Sequence, residues 1–320
     1  MADKSAVTKE QDTSRARAVG SSEPTDHLTE IGDAFNSAVA RCVRDADPDA
    51  VHRLRTGSRR LQAMLEARLR ENTTFALDQP ARAWLKQLKQ VRQTAGTVRD
   101  LDVHSKLLER WLGKQAAPDS DAHALNKQAE TLDGWLKGER KHLARAMQKQ
   151  IRKRQQGLAG CEAEVLAAIG AMPPDKVRAT RSADAVALEE FVRAVDAMPL
   201  LDAENLHEFR KATKKARYIA ESAAEGEDYS SVAKALKRVQ DAIGEWHDWL
   251  CLWEEARTAL GKDGPDLISS LEREVERHFT AAIKTTQTMR ARLSGEWMAI
   301  SRPPAKRPPS KVSVVERRLA

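Results

Sequence analysis

Two stretches of this chain carry the same arrangement of residues able to hold an anion. The first is His52-x-x-Arg55-x-x-x-Arg59-Arg60, and the second, 155 residues on, is His207-x-x-Arg210-x-x-x-Lys214-Lys215. A guanidinium can hold phosphate oxygens through two parallel hydrogen bonds, while an ammonium acts on them as a point charge. A histidine beside phosphate has its charged form favoured and can then donate from both ring nitrogens. No acidic residue lies between Arg53 and Arg60. Like charges three and four residues apart destabilise a helix by about 0.2–0.5 kcal/mol per pair. An unneutralised row kept twice therefore points to a polyanion that neutralises it. The competing reading is a solvated charged face with no ligand.

The element that must position these residues is a helix. At about 100° per residue, His52, Arg55 and Arg59 share one face, with Leu54, Leu61 and Met64 opposite. In the second copy His207, Arg210, Lys214 and Arg217 share a face, with Phe209, Ala212, Ala216 and Ile219 opposite. Each helix is thus expected to bury its apolar side in its own bundle and present its cations outward. The row from His52 to Arg59 is about 10 Å long.

The repeat extends further. Leu88-Lys89-x-Val91 matches Leu236-Lys237-x-Val239, and Gly96-x-x-x-Asp100 matches Gly244-x-x-x-Asp248, now 148 residues apart. The second copy has therefore lost seven residues from the intervening loop. A second helix in each half would add Lys86 and Lys89, or Lys234 and Lys237, to the binding set. Gly96 and Gly244 lie on the same face as those lysines. They would allow close approach of a ligand or a neighbouring helix, and a packing-only role is equally open. A period near 150 residues is too long for a solenoid unit. It implies two fused bundles from an internal duplication, related by a pseudo-two-fold.

Apolar residues make up 41% of the 320, charged residues 32% and aromatics 4%, with no period-two β-branched runs, so the expectation is all-α. Leu28, Ile31, Phe35 and Val39 mark a first helix. Asp47-Pro48 reads as a cap followed by proline at the first helical position, opening a helix to about Arg70. Asp78 to Pro80 repeats that signal for a third helix. Further helices are expected near 98–112, 121–156, 158–171, 183–197, 202–225, 229–243, 245–260 and 265–294, with Trp297 the last packed residue. Each half thus reads as helix, loop, helix, then an aspartate near the start of the next helix. Met172-Pro173-Pro174 is the strongest break. The chain divides into a disordered tail (1–24), a first half (25–172), a second half (173–298) and a basic, proline-rich tail (299–320).

Net charge is +7 with a pI near 9.3, an excess that matters through its distribution. Cys42, Cys161 and Cys251 are too far apart for a metal or disulfide pattern and read as buried small hydrophobes. No apolar leader follows Met1 and no run reaches 18 apolar residues, so a cytoplasmic location is expected.

The paired His-x-x-Arg-x-x-x-(Arg/Lys)-(Arg/Lys) helices, with the downstream Gly-x-x-x-Asp segments, resemble the conserved histidine α-helical domain, CHAD, over about residues 25–297. The resemblance implies two helical bundles with a basic cleft or channel between them. It also implies binding of inorganic polyphosphate and association with polyphosphate granules. By position, the implied binding residues are His52, Arg55, Arg59 and Arg60 in the first half. In the second they are His207, Arg210, Lys214, Lys215 and Arg217. Gln62 departs from the pattern where Arg217 matches it, so the first half is expected to grip less strongly. His247-Asp248 stands in place of Arg99-Asp100. Asp100 and Asp248 are expected to orient neighbouring cations from behind rather than touch an anion.

Two other readings compete. His247-Asp248 resembles the His-Asp dipeptide of all-helical metal phosphohydrolases. Such enzymes need further His and Asp ligands, and rows of arginine and lysine repel cations. Nucleic acid would satisfy the basic helices. However, the basic faces lack the interleaved aromatics of a stacking platform, and the tryptophans at 84, 111, 246, 249 and 253 sit on leucine-bearing patterns. The reading favoured is a non-catalytic polyphosphate binder with no metal and no cofactor, nucleic acid being a weaker competitor. The basic face within Glu139 to Arg154 either lines the same cleft or is plain solvated surface.

Overall fold

The computed structural model describes residues 24–71, 75–114, 120–171, 182–221 and 229–301. The tail 1–23, the proline break at 172–174 and the tail from residue 302 lie outside the described residues. Eight α-helices account for nearly all of the rest: α1 (Pro24–Arg44), α2 (Pro48–Glu71), α3 (Phe75–Leu112), α4 (Ser120–Gly170), α5 (Ala183–Ala197), α6 (Leu206–Glu221), α7 (Ser231–Leu260) and α8 (Pro265–Ser301). The fold is all-α, as the composition and periodicity require.

Local chemistry explains the starts that the sequence marks clearly. Asp47 Oδ1 accepts from the Ala50 amide at 2.8 Å, with Pro48 opening α2. Ser182 caps α5 and Ser230 caps α7, each accepting from the amide three residues on. Helix α6 begins four residues later than the expected 202. The reason is a local turn: Asp202 Oδ1 takes the amides of Glu204 and Asn205 at 2.9 Å, holding the backbone out of the helix. Helix α7 ends at Gly261, whose φ of 54° is the left-handed conformation that glycine adopts without strain.

Three expected breaks are absent. Helix α3 starts at Phe75, not at Asp78, holds Pro80 near its start, and runs unbroken past Gly96 to Leu112. Helix α4 is a single element of 51 residues across Gly157, and α7 is continuous through Gly244. A glycine costs a helix only about 1 kcal/mol relative to alanine. Burial along three faces of these long helices outweighs that. Asp100 and Asp248 therefore sit in mid-helix, not near a helix start. Helix α8 also runs to Ser301, three residues into the stretch assigned to the C-terminal tail.

The helices pack in the same order twice. α1 packs on α2, α2 on α3, α3 on α4 and α4 back on α1; α5 to α8 follow the same circuit. One core lies inside α1–α4, around Phe35, Leu54, Leu61, Trp84 and Leu88. Another lies inside α5–α8, around Phe191, Phe209, Leu236 and Trp246. A third core is shared. It is made by the end of α3 (Leu101–Trp111), the start of α4 (Ala129, Leu132, Leu136), the end of α7 (Trp249–Leu260) and the start of α8 (Leu267, Leu271). That shared core fixes the two groups of helices to each other. Buried Asp102 is held there by Arg140 at 2.5 Å, and His104 of α3 reaches Glu255 of α7 at 2.8 Å.

Leu252 is wholly buried in the shared core. Leu252→Ala should lower the unfolding free energy by about 2–5 kcal/mol. Chemical denaturation followed by circular dichroism checks it.

Candidate polyanion-binding cleft

Helices α2 and α6 are not among the closely packed pairs, although α3 and α7, on which they lie, do touch. Their basic faces look at each other across the gap. Arg55, Arg59, Arg210, Lys214 and Arg217 are half-buried, whereas their apolar faces are fully buried in separate cores. The cations therefore point into a cleft and not simply outward. On α6 the buried face differs slightly from expectation: Ala212 is exposed, and Thr213 is buried with its hydroxyl donating to the Phe209 carbonyl at 3.0 Å.

The two glycines explain how the arginines fit. A Cβ on Gly96 would lie 2.9 Å from Nη1 of Arg55, and one on Gly244 would lie 2.9 Å from Nη2 of Arg210. Each guanidinium rests on the bare backbone of the neighbouring long helix. Arg55 also lies 3.6 Å from Asp100. Arg210 Nε donates to the Gln240 carbonyl at 3.3 Å, and Gln240 Nε2 donates to the Arg210 carbonyl at 2.9 Å. Burial pushes the Asp248 carboxyl up, while His104 and Arg210 oppose that shift.

The charges of both halves act on the same spot. Burial pushes the Lys214 ammonium from its ordinary 10.5 down to about 8, helped by Arg210 of its own half and by Arg59 and Arg55 of the other. Arg210 is lowered by burial, with Arg59 across the cleft and Arg217 adding to the effect. Asp100 of α3 likewise acts on Asp248 of α7. Among the described residues, no carboxylate forms an ion pair with Arg59, Arg210 or Lys214. These positions form an unneutralised cluster in partly dehydrated surroundings, where an anion is held most strongly.

The His207 and His247 rings are 4.3 Å apart. Burial, then the His207 charge, takes His247 down to about 4, so it is neutral at pH 7. Nδ1 of His207 is buried without a hydrogen-bond partner. His52 is more exposed; loss of water, then Arg99, lowers its pKa. Cys251, its thiol pushed up to about 12 by burial, lies 3.8 Å from His247 Nε2.

Several expected site residues stand apart from this cluster. Lys215 pairs with Glu190 of α5 at 2.9 Å, and Lys237 pairs with Asp241 on its own helix at 2.6 Å. Arg60, Lys86, Lys89 and Lys234 are exposed, and none is among the charges that shift Lys214. In the 139–154 stretch, Arg140 binds Asp102 and the Ala46 carbonyl, and Arg152 reaches the Val43 carbonyl. Those residues brace the end of α1, and Lys141, Arg145 and Lys149 remain on exposed surface.

Two groups escaped the sequence reading. Arg92 of α3 is half-buried and shares this environment with Arg59 and Tyr218. Tyr218 itself lies on the basic side of α6, so that side is not free of aromatics. One face of its ring is taken by Arg217, whose Cζ is 5.2 Å from the centroid. Position within the α6 helix, about 20° from His207, was the available signal for Tyr218.

A separate cavity of about 240 Å³ lies beside the shared core, lined by Trp111, Trp249, Glu245, Glu274, Arg277 and His278. Arg277 there pairs with Glu274 at 2.6 Å and His278 lies 3.5 Å from Glu245, while Arg110 and Lys114 also line it. In the cleft, by contrast, cations from both halves act on one another. Among the described residues, no group of three or more His, Cys, Asp or Glu is placed to hold a metal, and no helix is long and apolar enough to cross a membrane.

An all-helical chain with two facing basic helices and a histidine opening each row defines a recognisable class. The CHAD domain family model matches residues 27–258, and the chain belongs to that family. Two solved structures share the fold. PptA from Streptomyces chartreusis is 17% identical with a TM-score of 0.59, over 83% of this chain and 98% of its own. The CHAD domain from the plant Ricinus communis is 19% identical with a TM-score of 0.52, over 86% of this chain and 89% of its own. No curated protein matches.

The lowered Lys214 pKa has a consequence for the ligand-free protein. Between about 8 and 10.5 the unfolded chain keeps the Lys214 proton that the folded chain has lost. The unfolded state then binds more protons, so stability should rise with pH across that window. Lys214→Met should remove this rise and raise the melting temperature at pH 7. Thermal unfolding as a function of pH measures both.

Proposed function

We propose that this protein binds inorganic polyphosphate without turning it over, and that it gathers on polyphosphate granules. The observation that carries this reading is the convergence of Arg55 and Arg59 with Arg210 and Lys214 on one half-buried cluster, in which cations outnumber the acids Asp100 and Asp248. A chain of phosphates offers negative charge at every unit and needs no base-recognising surface. Engagement by two basic helices at once raises the effective concentration of each for the other, which favours a polymer over single phosphates. Membership of the CHAD family supports the same ligand class.

Nucleic acid is the second reading, and Tyr218 is the observation in its favour. A single ring with one face already covered by Arg217 gives little stacking area. Nucleic acid is therefore placed as a weaker competitor. Turnover would need an activated water or a nucleophile. His247 faces His207 and Cys251, and the Cys251 thiol, pushed up to about 12, is a poor nucleophile.

Replacing Arg55, Arg59, Arg210 and Lys214 together with alanine should weaken polyphosphate binding by more than about a hundredfold, with the helical spectrum retained. Unchanged affinity in the folded variant would sink the proposal. In a competition at physiological salt, long-chain polyphosphate should displace DNA and RNA at equal phosphate concentration. Orthophosphate release with a divalent metal present would overturn the non-catalytic reading.

A further inference from the structure

The missing third cation of the first half is supplied from a different helix. In the second half, Arg217 of α6 lies 3.0 Å from Glu221, one turn further along. The equivalent positions on α2 are Gln62 and Glu66. Gln62 cannot provide charge, but it makes two hydrogen bonds. Its Nε2 donates to Glu66 at 2.6 Å, and its Oε1 accepts from Nη1 of Arg92 on α3. The chain Arg92–Gln62–Glu66 therefore stands where Arg217–Glu221 stands in the other half.

The exchange is reciprocal. Position 92 in the first half corresponds to position 240 in the second, at the same 148-residue offset that matches Gly96 to Gly244. Position 240 is glutamine, buried at 2% exposure and bonded to the Arg210 carbonyl and to Thr213. The first half thus has glutamine on its short helix and arginine on its long one, and the second half has the reverse. Both arginines lie near Tyr218. Tyr218, over whose ring the Arg217 guanidinium lies, is also among the groups whose charge acts on Arg92, as is Arg59 of the cleft. Nε of Arg217 is buried without a hydrogen-bond partner, the Glu221 contact being out of line for one.

We propose that Arg92 contacts the bound phosphate chain, taking in the first half the part that Arg217 takes in the second, with Gln62 and Glu66 holding its guanidinium in place. This rests on the polyphosphate reading. It also removes the expected weakness of the first half, because the cation absent from α2 is present on α3.

The test compares the full-length protein with Arg92→Gln and with the exchange variant Gln62→Arg, Arg92→Gln, titrating each with long-chain polyphosphate at several salt concentrations. Arg92→Gln should bind about tenfold more weakly, the loss of one charge-assisted contact. Its plot of log affinity against log salt should be shallower, because one phosphate contact fewer releases fewer counterions. The exchange variant, rebuilding the arrangement of the second half, should recover to within about threefold of the parent in affinity and recover the slope. Melting temperatures without ligand separate a merely structural link between α2 and α3, which would lower stability and leave the salt slope alone. Wild-type affinity and slope in folded Arg92→Gln, or an exchange variant that melts like the parent and stays weak, overturns the proposal. If the parent protein binds no polyphosphate, the reading beneath it fails instead.

Discussion

Mutual repulsion among the cleft cations is the constraint to which the rest of the structure answers. Like charges in partly buried surroundings repel more strongly than in water, and Arg210, Arg59, Arg55 and Arg217 all act on Lys214. Left free, two bundles carrying these faces would swing apart. The shared core of α3, α4, α7 and α8 prevents this, because each leucine it buries contributes about 1.5–3 kcal/mol. The His104–Glu255 contact joins α3 to α7 at the same level. The two basic rows are thus held in opposition by apolar packing some distance from the charges themselves.

This division of labour explains the length of the helices. Helices α2 and α6 carry charge and are shorter, while α3 and α7 are long enough to border the cleft and also join the shared core with α4 and α8. Gly96 and Gly244 lie along α3 and α7 where the guanidinium groups need room. Their role is to admit a neighbouring arginine side chain. A glycine at such a place does not end a helix, since packing on either side outweighs its weak propensity.

Much of the fold was legible in the sequence because periodicity and caps are local signals. Leu54 and Leu61, or Phe209 and Ala216, identify the buried sides of α2 and α6, and Asp47 with Pro48 fixes the start of α2. Continuity through Gly96, Gly157 and Gly244 was not legible, since it depends on partners far along the chain. The opposition of Arg59 and Lys214 could be anticipated only from the repeated motif. Arg92 escaped because the motif follows one helix at a time. When a charge moves from one helix to its neighbour, alignment registers a loss at Gln62 and gives no sign of the gain. Lys215 and Lys237 fitted the basic pattern, yet acids on α5 and on α7 itself already engage them.

Residues at equivalent positions meet across the cleft, Arg59 with Lys214 and Asp100 with Asp248. A groove faced by two similar basic rows presents cations to a strand entering from either side. Linear polyphosphate has no head or tail and reads identically in both directions, whereas a nucleic acid strand has a chemical polarity that one half would meet reversed. For the proposed ligand, either orientation is productive and every unit is an equivalent starting point.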